Sequence, residues 1–243
     1  MRIANTRIDE IGFEAAVERA AEYLRGDTAR VIITADASTV VIAQSDNEMQ
    51  GIVHSADMVT PDSTGILWAA KRLGIPIRER VSGVDLTWRL CEFCAKEGHS
   101  VFLLGAEAGV AERAAANLAN RIPSLQIAGT HHGFFEHDDE VVEAVNASGA
   151  RLLFVAMGIP RQEKWISRNL HRLNIRLAIG VGGTFDVLAG KVQRAPEWMR
   201  VRGLEWFYRL ARNPRKISKV VKLPKFVWLV YKHGSAIVRS AKE

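Results

Sequence analysis

Six short apolar runs rich in β-branched residues, separated by segments of helical period, constrain this chain more than any other feature of its 243 residues. The runs cover residues 30–34, 58–60, 100–104, 125–128, 152–156 and 177–181. Each is short and nearly continuous in apolar character, as strands buried on both faces are. Residues 13–24 place Ala16, Ala20 and Leu24 one helical turn apart, and residues 84–98, 109–122 and 140–147 also read as helices. Strands that alternate with helices predict an α/β fold, a parallel sheet flanked by helices on both faces. Ligands of such sheets bind beyond the carboxyl ends of the strands, so the residues that follow each run are the candidates for chemistry.

Those residues form a series. The first run ends in Thr34-Ala35-Asp36 and the second in Thr60-Pro61-Asp62, after which Ser63-Thr64-Gly65 opens a helix. The third leads into Gly105-Ala106-Glu107-Ala108-Gly109, the fifth into Gly158-Ile159-Pro160-Arg161-Gln162-Glu163, and the sixth into Gly180-Val181-Gly182-Gly183-Thr184-Phe185-Asp186. Glycines at strand-to-helix turns let the backbone approach a ligand, and helix N-termini attract phosphate, so the repeated turns point to a nucleotide or nucleotide-sugar. Neither glycine cluster has G-x-G-x-x-G spacing, which argues against a nicotinamide dinucleotide. Asp62 stands where a general base would be presented, although spacing alone favours an N-cap of the following helix. Arg80, in Glu79-Arg80-Val81-Ser82-Gly83-Val84-Asp85, suits a bidentate phosphate contact or a surface ion pair equally.

Other groupings point away from metal and redox chemistry. Cys91 and Cys94 fall inside a predicted helix with no further ligands at zinc spacing, and read as buried helix cysteines. His131, His132 and His137, with Glu136, Asp138 and Asp139, read as a solvated loop because no helical i, i+4 pair is present. No D-x-D motif occurs, and neither a metal site nor a cofactor is expected. No run approaches the roughly 20 apolar residues needed to span a bilayer, and the start Met1-Arg2-Ile3-Ala4-Asn5 lacks the apolar stretch of a secretion signal. A cytoplasmic location is expected.

Charge divides the chain in two. Residues 196–243 hold 12 Lys and Arg against Glu197, Glu205 and Glu243, a net +9, whereas the whole chain is +6 and residues 1–195 are therefore −3. The expected organisation is a core over 1–195 and a basic, aromatic appendage over 196–243, helical from Glu197 onward with breaks near Pro214 and Pro224. Such a segment seeks an anionic partner: lipid headgroups, nucleic acid, or a diphosphate in an active site.

Taken in order, the strand-end motifs resemble the WecG/TagA/CpsF family of bacterial glycosyltransferases. The matching pieces are Thr34-Ala35-Asp36, Thr60-Pro61-Asp62-Ser63-Thr64-Gly65, residues 79–86, Val101-Phe102-Leu103-Leu104-Gly105, residues 158–163, residues 180–186, Arg194-Ala195-Pro196, and residues 203–210. The resemblance implies a Rossmann-like core with a C-terminal helical appendage. It implies inverting, metal-independent transfer of a sugar (N-acetylmannosamine, its uronic acid, or glucose) from a UDP-sugar to a polyprenyl-diphosphate-linked saccharide, in cell-surface polysaccharide synthesis. The family's base falls on Asp62, its strand-end threonine on Thr34, its key arginine on Arg80 and its sugar- or acceptor-binding glutamine on Gln162. The asparagine usual two positions after that threonine is Asp36 here, which cannot donate an amide hydrogen bond when ionised and stands beside Asp62 as a second candidate base. Gly105, Gly158, Gly182 and Gly183 are the expected substrate-binding turns. The family's appendage arginines match Arg209 and Arg215, with Arg212 a third candidate; positioned arginines stabilise a departing diphosphate.

Three readings compete for the appendage: a membrane-surface element, a nucleic-acid binder, and a solvated helical face packed on the core. A lipid-linked acceptor favours the first, with Trp206, Phe207, Phe226, Trp228 and Tyr231 at the headgroup boundary and Lys216, Lys219, Lys222, Lys225 and Lys232 facing anionic lipid. No nucleic-acid partner is expected. The enzyme would then be peripheral on the inner face of the cytoplasmic membrane, and the resemblance admits a homo-oligomer. The competing function class is a non-catalytic protein that binds a nucleotide-sugar or lipid diphosphate.

Overall fold

The computed structural model of the chain describes residues 2–196, 198–199, 205, 207–208 and 221–240. A small hairpin, β1 (Arg2–Ile3) with β2 (Thr6–Arg7), precedes α1 (Phe13–Arg25). Then come β3 (Arg30–Ala35), α2 (Ala37–Ala43), α3 (Asn47–Ser55), β4 (Met58–Pro61), α4 (Thr64–Arg72) and α5 (Gly83–Glu97). They are followed by β5 (Ser100–Gly105), α6 (Val110–Arg121), β6 (Gln126–His131), α7 (Asp138–Ala147), β7 (Leu152–Ala156), α8 (Arg161–Asn169), β8 (Leu177–Gly180) and α9 (Thr184–Leu188). The C-terminal helix spans Lys222–Ser240.

All six apolar runs are strands of one parallel sheet in the order β4-β3-β8-β7-β5-β6. Side chains of a strand alternate between faces. Val31, Ile33, Leu153 and Val155 pack on α2, α3, α7, α8 and the C-terminal helix, while Ile32, Leu152, Phe154 and Ile179 pack on α1, α5, α6 and α9. The fold is the expected α/β sandwich, a Rossmann-like core.

Some elements were hidden from local pattern. α2 buries Ala37, Ser38, Thr39, Val40, Val41 and Ala43, so it shows no amphipathic stripe. α8 buries Gln162, Glu163 and Asn169 along with Trp165 and Ile166, and its polar inner face masks the period. β6 runs on to His131, beyond the expected end at residue 128, because it is the edge strand and carries a register shift opposite Val101 and Phe102. Cys91 and Cys94 lie buried inside α5; burial raises both thiols, that of Cys94 to about 12, so neither is a thiolate at neutral pH.

The C-terminal helix departs from expectation in two respects. Pro224 does not break it but sits in its first turn, where a missing N–H has no intrahelical acceptor to lose. Phe226, expected at a lipid surface, is buried in the main core together with Leu229 and Val230. Burying a phenylalanine is worth roughly 1.5–3 kcal/mol, which a core position secures and a headgroup position only partly does. Pro214, Trp206, Arg209, Arg212, Arg215, Lys216 and Lys219 lie outside the described residues.

Candidate active site

The parallel register brings the predicted residues to one edge. Thr34 pairs with Thr60 and Ala35 with Pro61, so Asp36 and Asp62 each stand one residue past adjacent strands, and the Asp62 amide donates to the Ala35 carbonyl at 2.9 Å. The Thr34 hydroxyl is buried and donates to the Gly180 carbonyl at 2.7 Å, tying β3 to the end of β8. Gly83, the first residue of α5, closes against both: a Cβ there would lie 3.3 Å from Asp62 Oδ2 and 3.5 Å from Thr34 Oγ1. Asp62 therefore lies beside the positive end of α5, where an anion is stabilised.

The two aspartates differ in their relation to the helices that follow. Asp36 caps α2: its Oδ1 accepts from the amides of Ser38 (2.7 Å) and Thr39 (3.1 Å), and Thr39 Oγ1 accepts in return from the Asp36 amide, a reciprocal capping box. Asn caps a helix as well as Asp does, so an aspartate at this position preserves the local structure that the family's asparagine would give. α4, in contrast, is capped by Ser63, whose Oγ accepts from the Ile66 amide at 3.3 Å. The expectation that Asp62 is the cap of this helix is thereby corrected, since Ser63 is one residue closer and its short side chain reaches the third amide.

Long-range ion pairs surround Asp62. Arg80 Nη1 donates to Glu205 Oε2 at 2.8 Å, with both side chains largely buried, so Arg80 is joined to a residue 125 positions further along the chain. Arg194 places both terminal nitrogens on the Asp85 carboxylate in the first turn of α5, and Nη2 also reaches Ser82 Oγ at 3.5 Å. Burial disfavours the Asp85 anion, but the Arg194 fork outweighs it and holds the carboxyl below its ordinary range. Burial likewise disfavours the Arg194 cation, and Asp85, Glu205 and Asp62 more than restore it. Arg194 and Glu205 are the residues near the candidate site that the sequence reading did not single out. Both stand in quoted motifs, but their partners are 109 and 125 residues away, and no spacing rule links them.

Gln162 organises the glycine turns. Its Oε1 accepts from the amides of Gly158 (3.1 Å) and Gly182 (3.0 Å), and its Nε2 donates to Glu163 Oε1 at 2.8 Å. The side chain is buried, and a Cβ at Gly180 would come within 2.7 Å of its Nε2, so only glycine leaves room for it. Gly183 directly precedes α9. Gly105 ends β5 at φ +135°, where a Cβ would collide with the Ala156 backbone at 2.5 Å. β5 continues outward to β6 whereas β7 continues inward to β8, so a topological switch point lies between them, the usual crevice for a nucleotide in sheets of this kind. Thr34, Asp36, Asp62, Arg80, Gln162 and the four glycines thus gather on the carboxyl edge. His131 and His132 stand at its far end, and among the described residues no group of three or more His, Cys, Asp or Glu is placed to hold a metal ion.

A parallel α/β sheet with glycine turns and an aspartate at its carboxyl edge defines a Rossmann-like class of protein. The sequence model described as "Glycosyl transferase WecG/TagA/CpsF family" matches residues 1–239, and the chain belongs to that family of glycosyltransferases. Its relatives include the N-acetylglucosaminyldiphosphoundecaprenol N-acetyl-beta-D-mannosaminyltransferases of Bacillus spizizenii and Bacillus subtilis. The first is 33% identical over 214 residues, covering 88% of this chain and 83% of the relative. The second is 30% identical over 210 residues, covering 86% and 82%. The protein of the same name from Staphylococcus aureus is 32% identical over 202 residues, covering 83% and 79%.

Proposed function

We propose that this glycosyltransferase moves N-acetylmannosamine, or a closely related hexose, from a UDP-sugar to a polyprenyl-diphosphate-linked N-acetylglucosamine in cell-envelope polysaccharide synthesis. The observation that carries the reading is the division of labour at β4: Ser63 caps α4, and the Asp62 carboxylate lies against Gly83 and Thr34 at the sheet's carboxyl edge. Asp62 takes the proton of the acceptor hydroxyl as its oxygen bonds to the anomeric carbon. The bond from that carbon to the UDP oxygen breaks on the opposite face, its electron pair leaving with the β-phosphate. One displacement inverts the centre, which suits the beta product named for the relatives.

Charge on the departing diphosphate is assigned to arginines rather than to a metal ion. Arg80 uses Nη1 for Glu205 and has further N–H donors, and Arg209 and Arg215 of the appendage are proposed to join it. Asp36 is assigned to holding α2 and not to proton transfer. Gln162 and the turns at Gly105, Gly158, Gly182 and Gly183 are assigned to shaping the donor pocket. We further place the enzyme on the inner face of the cytoplasmic membrane, residues 196–243 forming the appendage that meets it. Among the described residues no helix is long and apolar enough to cross a bilayer.

The test is UDP release from UDP-N-acetylmannosamine with and without a prenyl-diphosphate-linked N-acetylglucosamine. Acceptor-dependent release that persists in a chelator supports the reading. Binding without turnover across a panel of UDP-sugars would instead make the chain a nucleotide-sugar binding protein.

A further inference from the structure

The first turn of α5 packs on Asp62, yet no capping side chain fixes its start. Gly83 lies where a Cβ would stand 3.3 Å from Asp62 Oδ2 and 3.5 Å from Thr34 Oγ1. Ser82 occupies the N-cap position, but its side chain makes no cap hydrogen bond. Long-range ties hold the turn instead. The Val81 amide donates to the Pro61 carbonyl at 2.9 Å, which joins the approach of α5 to the end of β4 one residue before Asp62. Arg194 holds the other side: both of its terminal nitrogens donate to the Asp85 carboxylate, and Nη2 also reaches Ser82 Oγ at 3.5 Å. Ser82 and Asp85 bracket Gly83 in the chain, so the fork spans the turn that packs on Asp62. Arg194 is itself anchored. It follows α9 in a segment tied down by the Val192 amide, which donates to the Asp186 carbonyl at 2.9 Å, and by the buried Ala195. The Asp62 carboxylate is among the anions that stabilise the Arg194 cation, so the guanidinium lies within electrostatic reach of the proposed base.

We infer that Arg194 is a positioning residue for the transfer: its fork on Asp85 and Ser82 sets the first turn of α5 against Asp62, and so fixes the direction in which the Asp62 carboxylate faces the acceptor hydroxyl. The inference rests on the proposed role of Asp62 as the base and adds the residue that keeps that base in place. A carboxylate serves as a base only within hydrogen-bond reach of the proton it takes, and a misplacement of about 1 Å costs on the order of 10²-fold in rate. Asp62 stands where the chain has left the sheet ladder, so its side chain is steadied by what packs on it. Gly83 meets it with bare backbone, which has no rotamer to adjust; the place of that contact is the place of the helix. An arginine suits the task because its planar fork engages both carboxylate oxygens and resists rotation about the contact, whereas an ammonium holds at one point. The pair is also partly withdrawn from water, with side chains 21% exposed at Arg194 and 38% at Asp85, and is screened less than a fully exposed pair. If Arg194 served only to balance negative charge, a lysine would do as well. The bidentate geometry requires the fork.

The experiment measures UDP release with a prenyl-diphosphate-linked N-acetylglucosamine as acceptor, and UDP binding without it. The full-length variants are Arg194→Lys, Asp85→Asn, Asp62→Asn and the double variant Arg194→Lys with Asp62→Asn. Arg194→Lys should lower kcat about tenfold, with the donor KM and UDP affinity retained. Asp85→Asn, isosteric and gentler on the fold, should give a loss of the same size because it breaks the same fork from the other side. Added to Asp62→Asn, the lysine substitution should cause no further loss, since a residue that acts through the base has no effect once the base is gone. Arg151→Gln separates lost stability from lost positioning. Arg151 precedes β7 at the opposite edge of the sheet, and its Nε donates to the Leu24 carbonyl at 2.7 Å. Its variant should unfold at lower urea and keep the wild-type kcat. Full turnover in Arg194→Lys overturns the inference, as does a fall of kcat in Arg151→Gln that matches its loss of stability. An equal further loss when Arg194→Lys is added to Asp62→Asn also overturns it, and would place Arg194 on the departing diphosphate. Wild-type turnover in Asp62→Asn would strike the base assignment and this inference together, whereas a slow Asp62→Asn beside a fast Arg194→Lys strikes the inference alone.

Discussion

Strands β3 and β4 lie side by side, and each delivers an aspartate one residue past its end, yet the two helices that follow are capped differently. Asp36 is engaged by the first amides of α2. Asp62 passes that duty to Ser63 and rests instead between Thr34 and the start of α5. A strand-end carboxylate suits proton transfer when a neighbouring side chain has already satisfied the helix that follows. The sequence difference is a single serine in Asp62-Ser63 where the other strand has Asp36-Ala37.

The sharpest way to break this contrast is a pair of isosteric changes. Asp62→Asn should lower turnover by about 10²-fold or more, the scale of general-base loss. Asp36→Asn should change it by less than about threefold, because asparagine caps equally well. Comparable losses in the two, measured as UDP release, would end the distinction and make both carboxylates part of the chemistry. A smaller kinetic effect is expected at Gly83. The added methyl of Gly83→Ala must displace Asp62 Oδ2 by a few tenths of an ångström from its 3.3 Å contact. Turnover should fall several-fold, as small misplacements of a base do, with UDP affinity retained; an unchanged rate would show that Asp62 has slack.

Stability should follow the caps instead. In urea denaturation, Asp36→Ala and Ser63→Ala should each lose about 1 kcal/mol. An unchanged Ser63→Ala variant would revive Asp62 as the cap of α4. The smallest effect concerns pH. Asp85 is held below its ordinary range in the fold, so its contribution is present above the unfolded value near pH 4 and disappears as pH falls through the lower, folded value. Asp85→Asn should lower the neutral plateau and flatten that acid limb, so that the two stability curves converge below the folded value; a parallel acid limb in the variant would assign the loss to other carboxylates.

Much of this was legible beforehand because it is local. Each strand announced itself as a short apolar run, and the residues just beyond it had to share an edge once the sheet was parallel. That placed Thr34, Asp62, Gln162 and the glycine turns at the strand ends, while their expected roles came from the family resemblance. α2 and α8 were not legible: one is buried nearly all round and the other buries polar residues, so neither shows the stripe on which helix recognition depends. The C-terminal helix was visible as a helix, but its side chains were sorted wrongly. Phe226 and Trp228 look alike in a basic, aromatic stretch, and only packing against α2 and α4 puts the first in the core and leaves the second exposed.

The sequence by itself therefore determined the succession of strands and helices, the residues presented at each strand end, the segregation of positive charge beyond residue 195, and the glycosyltransferase family. The tertiary structure alone decided the lateral order of the strands, the choice of Ser63 over Asp62 as a cap, and the joining of Arg80 to Glu205 and Arg194 to Asp85. It also decided that a core helix shares its exposed face with the C-terminal one. The physical reason is range. Periodicity and turn chemistry act over a few residues and can be read along the chain. Which strand lies beside which, and which charge meets which, depends on packing and desolvation between groups more than 100 residues apart, for which spacing carries no signal.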